Sequence, residues 1–293
     1  MPRSPMRHLL TGTELTSDDL HAILDRAAAL KLAPQSSSVL DGRTVALIFQ
    51  KPSTRTRVSF EAGIVEMGGH PLVIRDGDLQ LGRGESLRDT ARVLGRHVAA
   101  VGVRTHADSE LEGLAAEDQL PVFNMLTQNA HPCQVLADLL TLREGFGGLD
   151  GLKLVYVGDG NNMARSLYDM GSIAGLDVVC STPPEFSLDG VTTVHDPREA
   201  VAGAQAIYTD VWVSMGDEDT ADARRAALGP YRIDDALLDA AAPGAVALHC
   251  LPAHPGEEIT ESVLYGDRQR IWDQAENRRH AQKAMLEWLL GAL

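Results

Sequence analysis

Thr44-Val45-Ala46-Leu47-Ile48-Phe49, followed by Gln50-Lys51-Pro52-Ser53-Thr54-Arg55-Thr56-Arg57 and then Val58-Ser59-Phe60-Glu61-Ala62-Gly63-Ile64-Val65-Glu66-Met67-Gly68, decides the fold class. The first segment is an unbroken apolar run of strand length, not an alternating one, which implies burial on both faces as in a parallel sheet. Pro52 removes a ladder donor, Ser53 has the chemistry of a helix cap, and the last segment has helical periodicity. Further apolar runs occupy 71–75, 99–103, 121–125, 153–158, 177–181, 206–210 and 245–250. Helical segments separate them, such as 86–96, with Ser86 as its expected cap, and 134–146. Strand–helix alternation from end to end predicts an α/β protein with helices on both faces of parallel sheets.

The chain of 293 residues predicts about two domains. Gly145, Gly147, Gly148 and Gly151 cluster before a fresh strand, so the division is placed at 147. Residues 1–147 form one expected domain and 148–275 the other, and a final helix at 276–293 is expected to rejoin the first. Its stretch AMLEWLLGAL, interrupted by Glu287, reads as one face of an amphipathic helix. Each domain is expected to be doubly wound, a central parallel sheet flanked by helices, with the active site in the cleft between them.

Composition excludes several classes. Lys plus Arg number 26 against 41 Asp plus Glu, a formal charge of -15, which disfavours nucleic acid and anionic membrane as partners. No run approaches the roughly 18 apolar residues of a membrane span, and Met1 to Ser17 lacks the apolar core of a secretory signal. Cys133, Cys180 and Cys250 are odd in number and show no C-x-x-C spacing, which argues against a disulfide framework or zinc ribbon and for a reducing cytoplasm. An anion handled by such a chain requires a local basic pocket in a negative body.

That pocket is expected at Ser53-Thr54-Arg55-Thr56-Arg57. A helix start offers free N–H groups and the positive end of the dipole, the hydroxyls add donors, and an arginine adds bidentate charge. Arg55 is expected to enter the pocket and Arg57, two residues on, to face away. A plain cap with solvated arginines is the competing reading. Arg104 ends a strand, and His131-Pro132-Cys133-Gln134 opens a helix on which His131 and Gln134 share a face. Alone, His131 reads as a helix-capping histidine.

In the second half, Gly158 and Gly160 suggest a dinucleotide fingerprint, but the third glycine and a ribose-binding acid are missing. The amides of Asn161 and Asn162 suit a small polar ligand. Asp210, at a strand end and four residues before Ser214, can hold an ammonium group, with a helix cap as the competing reading. Cys250 in His249-Cys250-Leu251-Pro252 is either inert packing or a thiol that takes part in deprotonating an amine.

Taken in order, F-Q-K-P-S-T-R-T-R at 49–57, H-P-C-Q at 131–134, Asp210 with Ser214-Met215-Gly216, H-C-L-P at 249–252 and Glu276-Asn277-Arg278 resemble the aspartate/ornithine transcarbamylase family, in its ornithine branch. The resemblance runs over nearly the whole chain. It implies carbamoyl phosphate bound by Ser53, Thr54, Arg55, Thr56, Gln80, Arg104, His131, Gln134 and Arg278, with Gln80 reaching a neighbouring subunit. It implies ornithine bound by Leu126 (through its carbonyl), Asn162, Asp210, Ser214, Met215, Cys250 and Leu251, with Arg55, Arg104, His131 and Cys250 in the catalytic roles. The implied reaction is carbamoyl transfer from carbamoyl phosphate to the δ-amine of L-ornithine, giving L-citrulline and phosphate in arginine biosynthesis. No cofactor or metal is expected, and the partner is a second copy of the chain, as a trimer or a multiple of trimers. A related carbamoyltransferase acting on putrescine or N-acylated ornithine is the alternative. A nucleotide-binding dehydrogenase and a catalytically silent subunit are the more distant ones.

Overall fold

The computed structural model describes residues 6–78, 84–213 and 218–293. In chain order the elements are α1 (Ser17–Leu32), β1 (Thr44–Phe49), α2 (Thr54–Glu66), β2 (His70–Arg75), α3 (Leu87–Leu94), β3 (Ala100–Arg104), α4 (Asp108–Ala116), β4 (Val122–Leu126) and α5 (Pro132–Phe146). Then come β5 (Lys153–Val157), α6 (Asn162–Ile173), β6 (Asp177–Ser181), α7 (Pro197–Val201), β7 (Ala206–Thr209), α8 (Ala221–Leu228), α9 (Asp235–Ala240), β8 (Val246–His249), α10 (Glu261–Leu264) and α11 (Ile271–Leu289). Two compact units result, one from Met1–Leu140 with Glu276–Leu293, the other from Thr141–Ala275.

The first unit holds a parallel sheet in the order β2-β1-β3-β4 and the second one in the order β6-β5-β7-β8. In both, the first strand lies inside and the chain winds outward to either side. The apolar runs explain the layering. β3, β7 and β8 are buried at every residue, and β1 and β5 at all but the first. Each buried Val, Leu, Ile or Phe among them contributes about 1.5–3 kcal/mol by leaving water. β2, at an edge, has no fully buried residue. Local chemistry sets the helix starts: Thr16 and Asp19 form a capping box on α1, and Ser86, Asn161, Asp196 and Asp234 cap α3, α6, α7 and α9.

The glycine pair that suggests a fingerprint has a different cause. Gly158 has φ +139°, and a Cβ on Gly160 would stand 2.0 Å from the Phe186 carbonyl oxygen. Both positions need glycine to turn and to pack, without a dinucleotide.

Two expectations about the last helix are corrected. It begins at Ile271, not 276, because the Gln269 side chain accepts from the Ile271 N–H at 2.7 Å and caps it early; it ends at Leu289. Its face is not amphipathic at Glu287 either: that side chain is buried and accepts from Arg26 Nε (2.6 Å) and Nη2 (2.8 Å). Lys283, fully buried, donates to Glu66 and to the Pro34 carbonyl, and Lys31 donates to Asn277 at 2.8 Å. These polar pairs, with buried Ala281, Met285 and Leu286, fasten α11 to α1 and α2 within the first unit. No helix among the described residues is long and apolar enough to cross a membrane.

Candidate active site

In the first unit the sheet delivers its chemistry at the carboxyl ends of its strands. After β1, Ser53 caps α2, its hydroxyl accepting from the Thr56 N–H. Thr54 begins the helix and Arg55 follows, half-buried. Arg57 turns away and pairs with Glu61 at 2.6 Å on the exposed surface, one helical turn on. Thr56 is buried, and its hydroxyl accepts from Arg278 Nη2 at 2.9 Å. β3 ends in Arg104, also buried, where the pairing with β4 shifts register.

The loop before α5 is fastened by Asn124, whose amide donates to the Leu10 carbonyl (2.7 Å) and to the Thr127 hydroxyl (3.0 Å). His131 precedes Pro132 and is buried. Burial, then the charges of Arg278 and Arg104, hold its pKa well below 6.5, so it is a neutral imidazole. Gln134 lies in the first turn of α5 and accepts from Arg278 through Oε1. Cys133 looks elsewhere: its thiol donates to the Asn124 carbonyl, and burial pushes it up to about 12. The Leu126 carbonyl ends β4 in this unit and already accepts the Thr105 N–H at 3.1 Å, which leaves one lone pair. Ser53, Thr54, Arg55, Thr56, Arg104, His131, Gln134 and Arg278 therefore all lie in one unit. Their hydroxyls, guanidiniums, amide and helix-start N–H groups match an oxyanion joined to a small polar group. Gln80 lies outside the described residues.

The second unit gathers a different set. Asp210, buried, follows β7; its Oδ1 accepts from the Cys250 thiol (2.9 Å) and from the Val211 N–H (2.8 Å). Its Oδ2 accepts from Asn161 Nδ2 at 3.1 Å. Asn161 is partly engaged within the protein: its Oδ1 caps α6 and one N–H of its amide steadies Asp210. Asn162 is the first residue of α6 and stays half-buried. Leu251 follows Cys250 with φ +60°, a left-handed backbone rare for leucine, before a cis Leu251–Pro252 bond. Ser214 and Met215 lie outside the described residues.

Several groups here had no sequence signal. Asp159 pairs with Arg224 at 2.8 Å, a partner 65 residues away in sequence. The Tyr156 hydroxyl donates to Asn161 Oδ1, and burial, then the charges of Asp210 and Asp159, raise its pKa well above 10. The Leu251 N–H donates to His249 Nδ1 (2.8 Å), which leaves the ring proton on Nε2 to donate to buried Glu258 at 3.1 Å. Asp210, His249 and Cys250, and separately His254, Glu257 and Glu258, bring metal-ligand atoms within 4.8 Å of one another. In the first set all three side chains are engaged in hydrogen bonds, and in the second Glu257 pairs with Arg225 at 3.1 Å.

The anion-matched half and the amine-matched half have counterparts among known proteins. Residues 7–144 match the aspartate/ornithine carbamoyltransferase carbamoyl-P binding domain, and residues 150–289 the Asp/Orn binding domain.

The chain belongs to the aspartate/ornithine carbamoyltransferase family.

Within that family it is 50% identical to the ornithine carbamoyltransferase of Acidothermus cellulolyticus, over 98% of this chain and 97% of the relative. It is 48% identical to that of Parafrankia sp. (strain EAN1pec), over 97% and 96% of the two chains. A solved ornithine carbamoyltransferase from Pyrococcus furiosus shares the fold with a TM-score of 0.93 and 44% identity, over 98% of both chains.

Proposed function

We propose that this protein is an ornithine carbamoyltransferase, converting carbamoyl phosphate and L-ornithine to L-citrulline and phosphate. The observation that carries the reading is Arg278, which binds Thr56 of the S-T-R-T-R segment and Gln134 of H-P-C-Q at once, its charge and that of buried Arg104 both acting on His131. Membership of a family whose close relatives are named for ornithine supports the amine substrate.

In this reading Ser53, Thr54, Arg55, Thr56, Arg104, His131, Gln134 and Arg278 hold carbamoyl phosphate, with Gln80 supplied by a neighbouring copy. Leu126, Asn162, Asp210, Ser214, Met215, Cys250 and Leu251 hold ornithine. Ornithine's δ-amine, with an ordinary pKa of about 10.4, must be neutral to attack. Its lone pair forms the new C–N bond to the carbonyl carbon while the bond from that carbon to the phosphate oxygen breaks. Negative charge gathering on the carbonyl oxygen is met by Arg55, Arg104, Thr56 and the neutral His131, each such donor worth about 3 kcal/mol of barrier. The amine proton passes to the departing phosphate, while the Cys250 thiol donates to Asp210. Holding two reactants in line supplies much of the remaining acceleration.

The active form is a trimer or a multiple of trimers, located in the cytoplasm and serving arginine biosynthesis. Support for assembly comes from β2, which has no fully buried residue, and from Val58, Val65 and Leu72, apolar yet exposed on α2 and β2. An assay of citrulline formation tests the reaction, with ornithine, putrescine and N-acetylornithine compared as acceptors. Turnover with ornithine foremost is expected; preference for either other amine overturns the substrate. Mixing inactive Arg55 and Gln80 variants is expected to restore part of the activity, and absence of rescue overturns the shared site.

A further inference from the structure

We propose that Asp138 is a positioning residue that makes the first unit selective for a carbamoyl group by fixing which edge of the Gln134 amide faces the ligand, an inference that rests on the carbamoyl phosphate reading above. Asp138 is fully buried on α5, one turn beyond Gln134. Its neighbours in the helix, Val135, Leu136, Ala137, Leu139 and Leu140, are all apolar and buried. A carboxylate in such a setting is costly unless hydrogen-bonded, so its presence calls for a specific cause.

Gln134 Nε2 donates to Asp138 Oδ1 at 2.8 Å, while Gln134 Oε1 accepts from Arg278. A glutamine amide has two nearly isosteric orientations, and here both neighbours choose the same one. Guanidinium groups only donate and carboxylates only accept, so turning the amide over would oppose donor to donor and acceptor to acceptor. The oxygen edge is thereby held on the side of Arg278, which also donates to Thr56.

A carbonyl oxygen has two lone pairs, and Arg278 uses one. The other is open to an N–H of the ligand. Arg278 and Arg104 and the amides at the start of α2 are donors and read the oxygens of a ligand. Gln134 Oε1 reads its nitrogen. The side chain at 138 thus determines whether an –NH2 beside the reacting carbonyl meets an acceptor or a donor.

Asp138→Leu removes the acceptor with the same number and branching of heavy atoms, and Asp138→Asn keeps the shape but accepts either orientation of Gln134. Three ligands separate positioning from general damage: carbamoyl phosphate, acetyl phosphate (a methyl in place of the amine) and inorganic phosphate. The expected result for Asp138→Leu is a KM for carbamoyl phosphate raised about tenfold, with acetyl phosphate inhibition and phosphate binding within about twofold of wild type. The preference for carbamoyl over acetyl then falls by the same factor. A smaller shift in the same direction is expected for Asp138→Asn, which carries the test if the leucine variant does not fold. Parallel weakening of all three ligands, or no change in any, overturns the proposal. Failure of the wild-type protein to form citrulline would instead overturn the functional reading, whatever the variants do.

Discussion

Cys250 Sγ donates to Asp210 Oδ1 across 2.9 Å, joining the residues just beyond the ends of β8 and β7. The same carboxylate accepts from Asn161 and from the Val211 N–H, so its orientation is set by three donors before any ligand arrives. A carboxylate held this way offers a fixed negative charge to an incoming cation with little left to reorganise.

Asp210→Asn keeps the shape and removes the charge. The KM for ornithine is expected to rise roughly ten- to hundredfold, as for loss of a charged hydrogen-bond partner, with the KM for carbamoyl phosphate nearly unchanged. Steady-state kinetics in both substrates decides it; equal weakening of both would contradict a carboxylate dedicated to the amino acid.

Arg55 and Arg57 are expected to separate sharply. Arg57→Ala breaks only an exposed pair with Glu61, worth about 0.3–0.5 kcal/mol, and turnover should stay within about twofold of wild type. Arg55→Gly should reduce turnover by about a hundredfold or more while circular dichroism and thermal unfolding show a folded chain. Similar effects from the two variants would be the contrary result.

Acid should weaken the first unit. Burial and the neighbouring charges of Lys283 and Arg279 lower the pKa of His280 to about 4, against which Glu276 and Glu66 act only in part. His131 is also held well below 6.5. Above pH 6.5 both rings are neutral whether the chain is folded or not. As pH falls below 6.5 the unfolded chain binds protons that the folded one refuses, so stability declines, and for His280 the decline ends near pH 4. Urea midpoints across that interval should fall with pH in the wild type and less steeply in His280→Asn. An unchanged slope in the variant would show that His280 does not contribute.

Glu287→Ala leaves Arg26 without its partner, and a loss of about 2–4 kcal/mol is expected, since Arg26 retains some contact with water. Replacing both residues together, Arg26→Met with Glu287→Leu, should recover most of it. Chemical denaturation of the three variants measures the difference.

The strand frame was legible because each strand is a short apolar run closed by a residue type that ends it. Thr44–Phe49 and Asp177–Ser181 begin and end as read, and the other strands shift by about one residue. The S-T-R-T-R and H-P-C-Q segments stood out for a similar reason, since each gathers several polar groups at a helix start that follows a strand. Pairings across long sequence separations left no local trace. Nothing near Arg224 marks it as the partner of Asp159, and nothing near Arg26 shows that it pairs with the buried Glu287. Asn161 shows the same limit, since its capping of α6 and its bond to Asp210 emerge only with the helix and the neighbouring strand end in place.

Arg278 sits on α11, far along the chain from Thr56 and Gln134, the residues it binds. A ribosome therefore releases the first sheet well before the residue that joins its two ligating segments, roughly ten seconds earlier at typical elongation rates. Until then the nascent polypeptide carries the S-T-R-T-R and H-P-C-Q segments with no guanidinium linking them. A premature stop codon ahead of Arg278 would likewise spare the second sheet yet leave Thr56 and Gln134 without the guanidinium that joins them.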